Sequence, residues 1–157
     1  MVLPHHKSDW SKLADEEALG RALGEMNVSA GQYMFPCYES SEEMKSEEFT
    51  KRMENGPWGT LAVWGGKPSM GANIFRTFLF YLLVSLFIAY LSTLGLSPGA
   101  GFRPVFRFVF AAGVMAHCLA FIPSAICFKT RILNNIIDGC VYALLTGVIF
   151  GMMWPGE

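Results

Sequence analysis

Charge is what the second half of this chain has least of. Of its 157 residues, positions 1–71 hold 11 of the 13 acids and 7 of the 12 bases. Positions 72–157 keep only Asp138, Glu157, Arg76, Arg103, Arg107, Lys129 and Arg131. The whole chain is 16% charged and 52% hydrophobic, against about 25% charged in an average soluble domain. The shift falls near Met70–Asn73 and reads as a change of solvent. A formal net charge of −1, with no basic stripe interleaved with aromatics, excludes nucleic acid as a partner. The four cysteines, Cys37, Cys118, Cys127 and Cys140, form no C-x-x-C pair, so no disulfide framework or cysteine metal site is expected. Three of them fall in or beside apolar segments, where free cysteine acts as a small hydrophobe. The opening Met1-Val2-Leu3-Pro4-His5-His6-Lys7-Ser8-Asp9 lacks the cationic patch and apolar core of a signal peptide. Gly65-Gly66-Lys67 lacks the spacing of a phosphate loop. No nucleophile–base set stands out, and no cofactor is expected.

What is present is three apolar runs, at about 74–94, 105–128 and 132–154. At 1.5 Å per residue, about 20 residues cross the hydrocarbon of a bilayer. Turns at Ser97-Pro98-Gly99 and Lys129-Thr130-Arg131 are short enough to make neighbouring helices antiparallel. The third run carries small residues every four positions: Gly139, Ala143, Gly147 and Gly151. In water, glycine in a helix costs about 1 kcal/mol against alanine; in lipid a small-residue stripe lets two backbones approach closely. The second run has its own stripe, Ala112, Ala116, Ala120 and Ser124. Facing stripes would set Ser124 beside Gly139 and Ala112 beside Gly151. Pro123 is expected to kink the second run near its end.

The polar first part, residues 1–71, reads as a small extramembrane α+β segment. Leu19, Ala22, Leu23 and Met26 share one face of a helix over 11–26. A second helix over 41–54 opens with capping-box spacing between Ser40 and Glu43 and ends at Asn55-Gly56-Pro57. The apolar runs 33–35 and 60–64 can pair as strands. So few large apolar side chains give a thin core.

The candidate site residues follow from the polar groups in apolar surroundings. His117 and Asp138 are intramembrane ionisable groups, functional candidates by default. His117 adjoins the Ala116 stripe, within reach of Tyr142 or Thr146. The plainer reading is a neutral histidine bonded between helices. Arg76 and Asp138 sit at similar depth and are expected to pair. Arg103 and Arg107 suit lipid phosphates. His5, His6 and Asp9 are candidate donors for a metal, and a polar interfacial terminus is the plainer reading of them.

The segments Leu3-Pro4-His5-His6-Lys7-Ser8-Asp9, Tyr33-Met34-Phe35-Pro36, Gly56-Pro57-Trp58-Gly59 and Ile137-Asp138-Gly139 with Tyr142-Ala143-Leu144-Leu145-Thr146 resemble a family of uncharacterised small bacterial polytopic inner-membrane proteins. The resemblance covers most of the chain and brings no activity with it. It implies a further hydrophobic segment ahead of Val2-Leu3-Pro4, so the chain is expected to start late or to belong to a three-span branch.

The expectation is therefore a membrane all-α protein: an antiparallel transmembrane hairpin plus one further helix over 72–157, after the α+β segment of 1–71. Its partners are the lipid bilayer and other membrane proteins or further copies of itself, its place the bacterial inner membrane. A non-enzymatic accessory or structural role comes first. A small oligomeric transporter or proton-handling protein using His117 and Asp138 is the alternative. A membrane enzyme with metal at His5, His6 and Asp9 comes third.

Overall fold

The computed structural model describes residues 4–156; Val2, Leu3 and Glu157, which enter the readings above, lie outside them. The chain divides into Lys12–Pro68 and a second unit that joins the segment ending at Ser11 to Ser69 onward. Residues 4–11 thus group with the long apolar helices rather than with residues 12–68.

In the polar unit, α1 (Glu16–Glu25) begins at Asp15, whose carboxylate accepts the Ala18 N–H at 2.8 Å. Glu16 and Glu17 in its first turn complement the helix dipole. Strand β1 (Gly31–Phe35) pairs antiparallel with β2 (Gly59–Val63), Tyr33 opposite Leu61, so the two apolar runs meet. Between them the single helix expected over 41–54 is two helices, α2 (Ser41–Met44) and α3 (Glu47–Asn55). Ser40 caps the first through the Glu43 N–H, and Ser46 caps the second through the Phe49 N–H, both at 3.1 Å. A serine inside a helix offers the backbone this alternative bond, and Ser46 takes it. The Glu43 carboxylate accepts the Glu39 N–H and a bond from Arg52, each at 2.8 Å. Those bonds, the backbone one foremost, hold its pKa below the usual glutamate value. Phe49 is this unit's buried large side chain, with the Tyr38 ring edge-on at 5.5 Å.

In the other unit, three stretches are long and apolar enough to cross a membrane: Met70–Gly95, Phe102–Phe128 and Leu133–Met153. The first is α4 (Met70–Gly95), the last α7 (Leu133–Met153). The middle stretch is α5 (Phe102–His117), a 3-10 turn at Leu119–Phe121, and α6 (Ile122–Phe128). Pro123 has no N–H to give the Leu119 carbonyl, and its ring would strike that carbonyl. The break therefore precedes the proline by about a turn.

Helices α5 and α7 pack as an antiparallel hairpin. On α7 the expected stripe faces the partner: Gly139, Ala143 and Gly147 are buried. On α5 the expected stripe does not. Ala116, Ala120 and Ser124 are exposed, and Ala112 is half-buried. The contact is made one position round, by Val105, Val109, Gly113 and His117, all buried. A Cβ on Gly139 would stand 2.7 Å from the His117 carbonyl oxygen; on Gly147, 3.1 Å from the Phe106 ring; on Gly151, 2.7 Å from the Phe102 ring. Gly139 thus lies beside His117 rather than Ser124, and Gly151 beside Phe102 rather than Ala112. The reason is the break: once α5 ends at His117, the residues of α6 no longer extend its face. Phenylalanine rings over glycines replace small-on-small packing along half the hairpin.

Helix α4 joins through Ile88, buried in a cluster with Val105 and Val109 and flanked by Phe150 and Trp154. The Trp154 indole N–H donates to the Ser97 carbonyl at 3.0 Å, and the Gly99 N–H to that of Pro155 at 2.9 Å. The end of α7 is so tied to the α4–α5 turn.

Candidate functional site

A strap, the 3-10 turn Pro4–Asp9, lies against the start of α7. Three oxygens of the strap surround one amide nitrogen: Nδ2 of Asn134 is 3.0 Å from the His5 carbonyl, 2.9 Å from Ser8 Oγ and 2.8 Å from Asp9 Oδ1. Its two hydrogens are shared among them. Arg131 donates to the Ser8 carbonyl. The strap is fastened to that end of the helix by polar bonds.

These bonds aim two imidazoles at one carboxylate. His5 Nε2 is 3.0 Å from Asp138 Oδ1, and His6 Nε2 is 2.9 Å from Asp138 Oδ2. The two rings lie 4.6 Å apart, tilted by 32°. The other nitrogen of His6, Nδ1, is 2.7 Å from Asp9 Oδ2, and Asn134 fixes the second oxygen of that carboxylate. His6 is thus held between two carboxylates, which raise its pKa, Asp9 more than Asp138. The carboxylate of Asp138 is partly buried, with 17% of its side chain exposed.

The sequence candidates fall in two places. His5, His6 and Asp138 converge, with donor atoms within 4.8 Å of one another. Asp9, read as a metal donor, stands behind His6 instead. Arg76, expected to pair with Asp138, is exposed on α4, and His5 and His6 take its expected place. Tyr142 lies one turn beyond Asp138 on α7. Its ring meets the rings of Tyr81 at 5.2 Å and His117 at 6.1 Å, and Tyr81 also meets His117 at 5.5 Å. His117 is buried among these aromatics. Thr146 donates to the Tyr142 carbonyl of its own helix at 2.8 Å.

Asn134 and Arg131, which fasten the strap, are not among the candidates named from the sequence. One signal was available: Asn134, Asp138 and Tyr142 recur every four residues, which places them on one face of an otherwise apolar helix. A cavity of about 540 Å³ adjoins the site, lined by His6 and Asp9, by the cations Lys129 and Arg131, and by Trp10 and Phe121 among others. No protein-family model, curated protein or solved structure matches the chain.

Proposed function

We propose that the chain is a multi-pass membrane protein of the bacterial inner-membrane kind and a non-enzymatic accessory component, whose working site is the strap fastened to one end of its helices. The supporting observation is apolar exposure. Only 6% of the most apolar window of α4 is buried, and 17% of that of α7. Phe75, Phe78, Leu79, Leu82, Leu86 and Phe87 all stand open on α4. An apolar surface of that extent requires lipid or protein over it. The polar strap bonds only at the helix end, as hydrophilic backbone at a membrane face would.

Two measurements test this reading. The protein should stay with membranes through alkaline carbonate and enter solution only with detergent. Amide exchange of residues 5–9 in detergent should be slow and should speed at least tenfold in Asn134→Ala. Release into buffer would end the membrane reading. Equally fast exchange in both proteins would end the strap reading. Transport through His117 and Asp138 has less support, because His117 has aromatic neighbours and Asp138 is engaged by the strap.

A further inference from the structure

We infer that His5, His6 and Asp138 bind a divalent transition-metal ion at the helix end, with Asp9 as the residue that orients His6. This rests on the strap reading, since two of the three ligands belong to the strap.

The argument starts from hydrogens. A carboxylate only accepts, and a neutral imidazole carries one N–H. Both nitrogens of His6 face carboxylate oxygens, at 2.7 and 2.9 Å. If the Nδ1 hydrogen goes to Asp9, the Nε2 lone pair of His6 points at an Asp138 oxygen that also has only lone pairs. A cation belongs between them: a second proton, or a metal ion. His5 Nε2 faces the other Asp138 oxygen at 3.0 Å, which brings a third donor within 4.8 Å of the other two.

The arrangement matches what a metal site needs. Metal-bound histidines give their second N–H to a carboxylate or carbonyl, which fixes the tautomer and makes the ligand more basic. Asp9 stands in that position toward His6, and the Asn134 amide at 2.8 Å holds Asp9 in turn. Bonds of about 2.0–2.1 Å to nitrogen and oxygen in a tetrahedron put neighbouring donors about 3.3 Å apart. The imidazole-to-carboxylate distances of 3.0 and 2.9 Å need widen by only a few tenths of an ångström, and the two imidazole nitrogens, within 4.8 Å of each other, close on the ion from either side. Two imidazoles and one carboxylate suit zinc or ferrous iron rather than calcium or magnesium, which prefer all-oxygen shells. Three protein ligands leave a coordination position for water or another small ligand. Binding releases whatever protons the two Nε2 atoms hold.

The test uses the full chain, purified in detergent, stripped with a chelator and titrated with Zn²⁺ and with Co²⁺. Wild type should bind one ion per chain, with Co²⁺ giving the visible bands of a four- or five-coordinate nitrogen–oxygen site. Asp138→Asn and His6→Gln should each weaken binding at least a hundredfold, Asp9→Asn by about 10–100-fold, and His117→Gln not at all. Should a variant lose its helical signal, the wild-type Co²⁺ spectrum and the shift of the His5 and His6 ring nitrogens on Zn²⁺ addition decide the matter. Absence of stoichiometric binding, with residues 5–9 still protected from exchange, overturns the metal site and leaves the strap reading standing. Binding that ignores Asp138→Asn and His6→Gln also overturns it. Unprotected strap amides with and without metal overturn both.

Discussion

A Cβ added to Gly113 would lie 2.8 Å from the Cβ of Ala143 and 2.9 Å from its Cα. Two helix backbones touch there with nothing between them. Gly113→Leu is expected to cost about 1–3 kcal/mol through overpacking, read as easier unfolding of the detergent-solubilised protein by SDS. Ala116→Leu, on the exposed side of α5, should change that measurement by no more than about 0.5 kcal/mol. The reverse ranking would restore the alanine stripe as the contact surface.

The His117 ring packs against the rings of Tyr81, tilted by 56°, and Tyr142, near perpendicular at 76°. His117→Phe preserves an aromatic ring of similar size, so membrane retention and helicity should survive with a stability change under about 1.5 kcal/mol. His117→Ala leaves a hole beside the Tyr81 and Tyr142 rings and should cost about 2 kcal/mol or more. Equal, severe losses in both variants would mean that the imidazole nitrogens, rather than ring volume, hold this point together.

These two cases show what patterning could and could not reveal. The α7 stripe was legible because four-residue spacing of Gly139, Ala143 and Gly147 is a property of one straight helix. The α5 face was not, because its register depends on where the helix ends. Pro123 marked a disturbance, but only the packed structure places the break at Cys118. The strand pair was legible from two short apolar runs. The helix division at Ser46 was not foreseen, since the capping-box reading of Ser40 and Glu43 treated 41–54 as one unit.

The site was half legible for the same reason. His5, His6 and Asp138 were each conspicuous as polar groups, yet 132 residues separate His6 from Asp138. Spacing rules act within one element, so nothing local joins a strap at the start of the chain to the last helix. Arg76 was the nearer partner by depth, and depth alone does not decide pairing.

Glu43 gives a pH test on the polar unit. Its folded-state pKa is lowered, first by the Glu39 N–H and then by Arg52. A lowered carboxyl pKa stabilises the folded form above the unfolded value, and that contribution disappears as pH falls through the folded one. The carboxyl carbon of Glu43 should titrate with a midpoint below 4.5. In Arg52→Ala the midpoint should rise only part of the way back, since the backbone bond remains. A midpoint at or above 4.5 in wild type would contradict this geometry.

Removing metal should loosen the protein by a calculable amount. An ion that binds only the folded form adds RT ln(1 + [L]/Kd), about 2.7 kcal/mol at a hundredfold excess over Kd. Chelation should therefore lower the thermal transition in detergent, and added Zn²⁺ should restore it. In Asp138→Asn both steps should be flat.

The bonds from Trp154 to Ser97 and from Gly99 to Pro155 carry a consequence for topology. They hold Trp154 and Pro155 at the α4–α5 turn, whereas His5 and His6 sit at the opposite pole of α7. In a bilayer the His5–His6 strap and the Trp154–Pro155 segment would then face different compartments. A thiol reagent that cannot cross the membrane should label a cysteine placed at Lys7 and one placed at Gly156 from opposite sides.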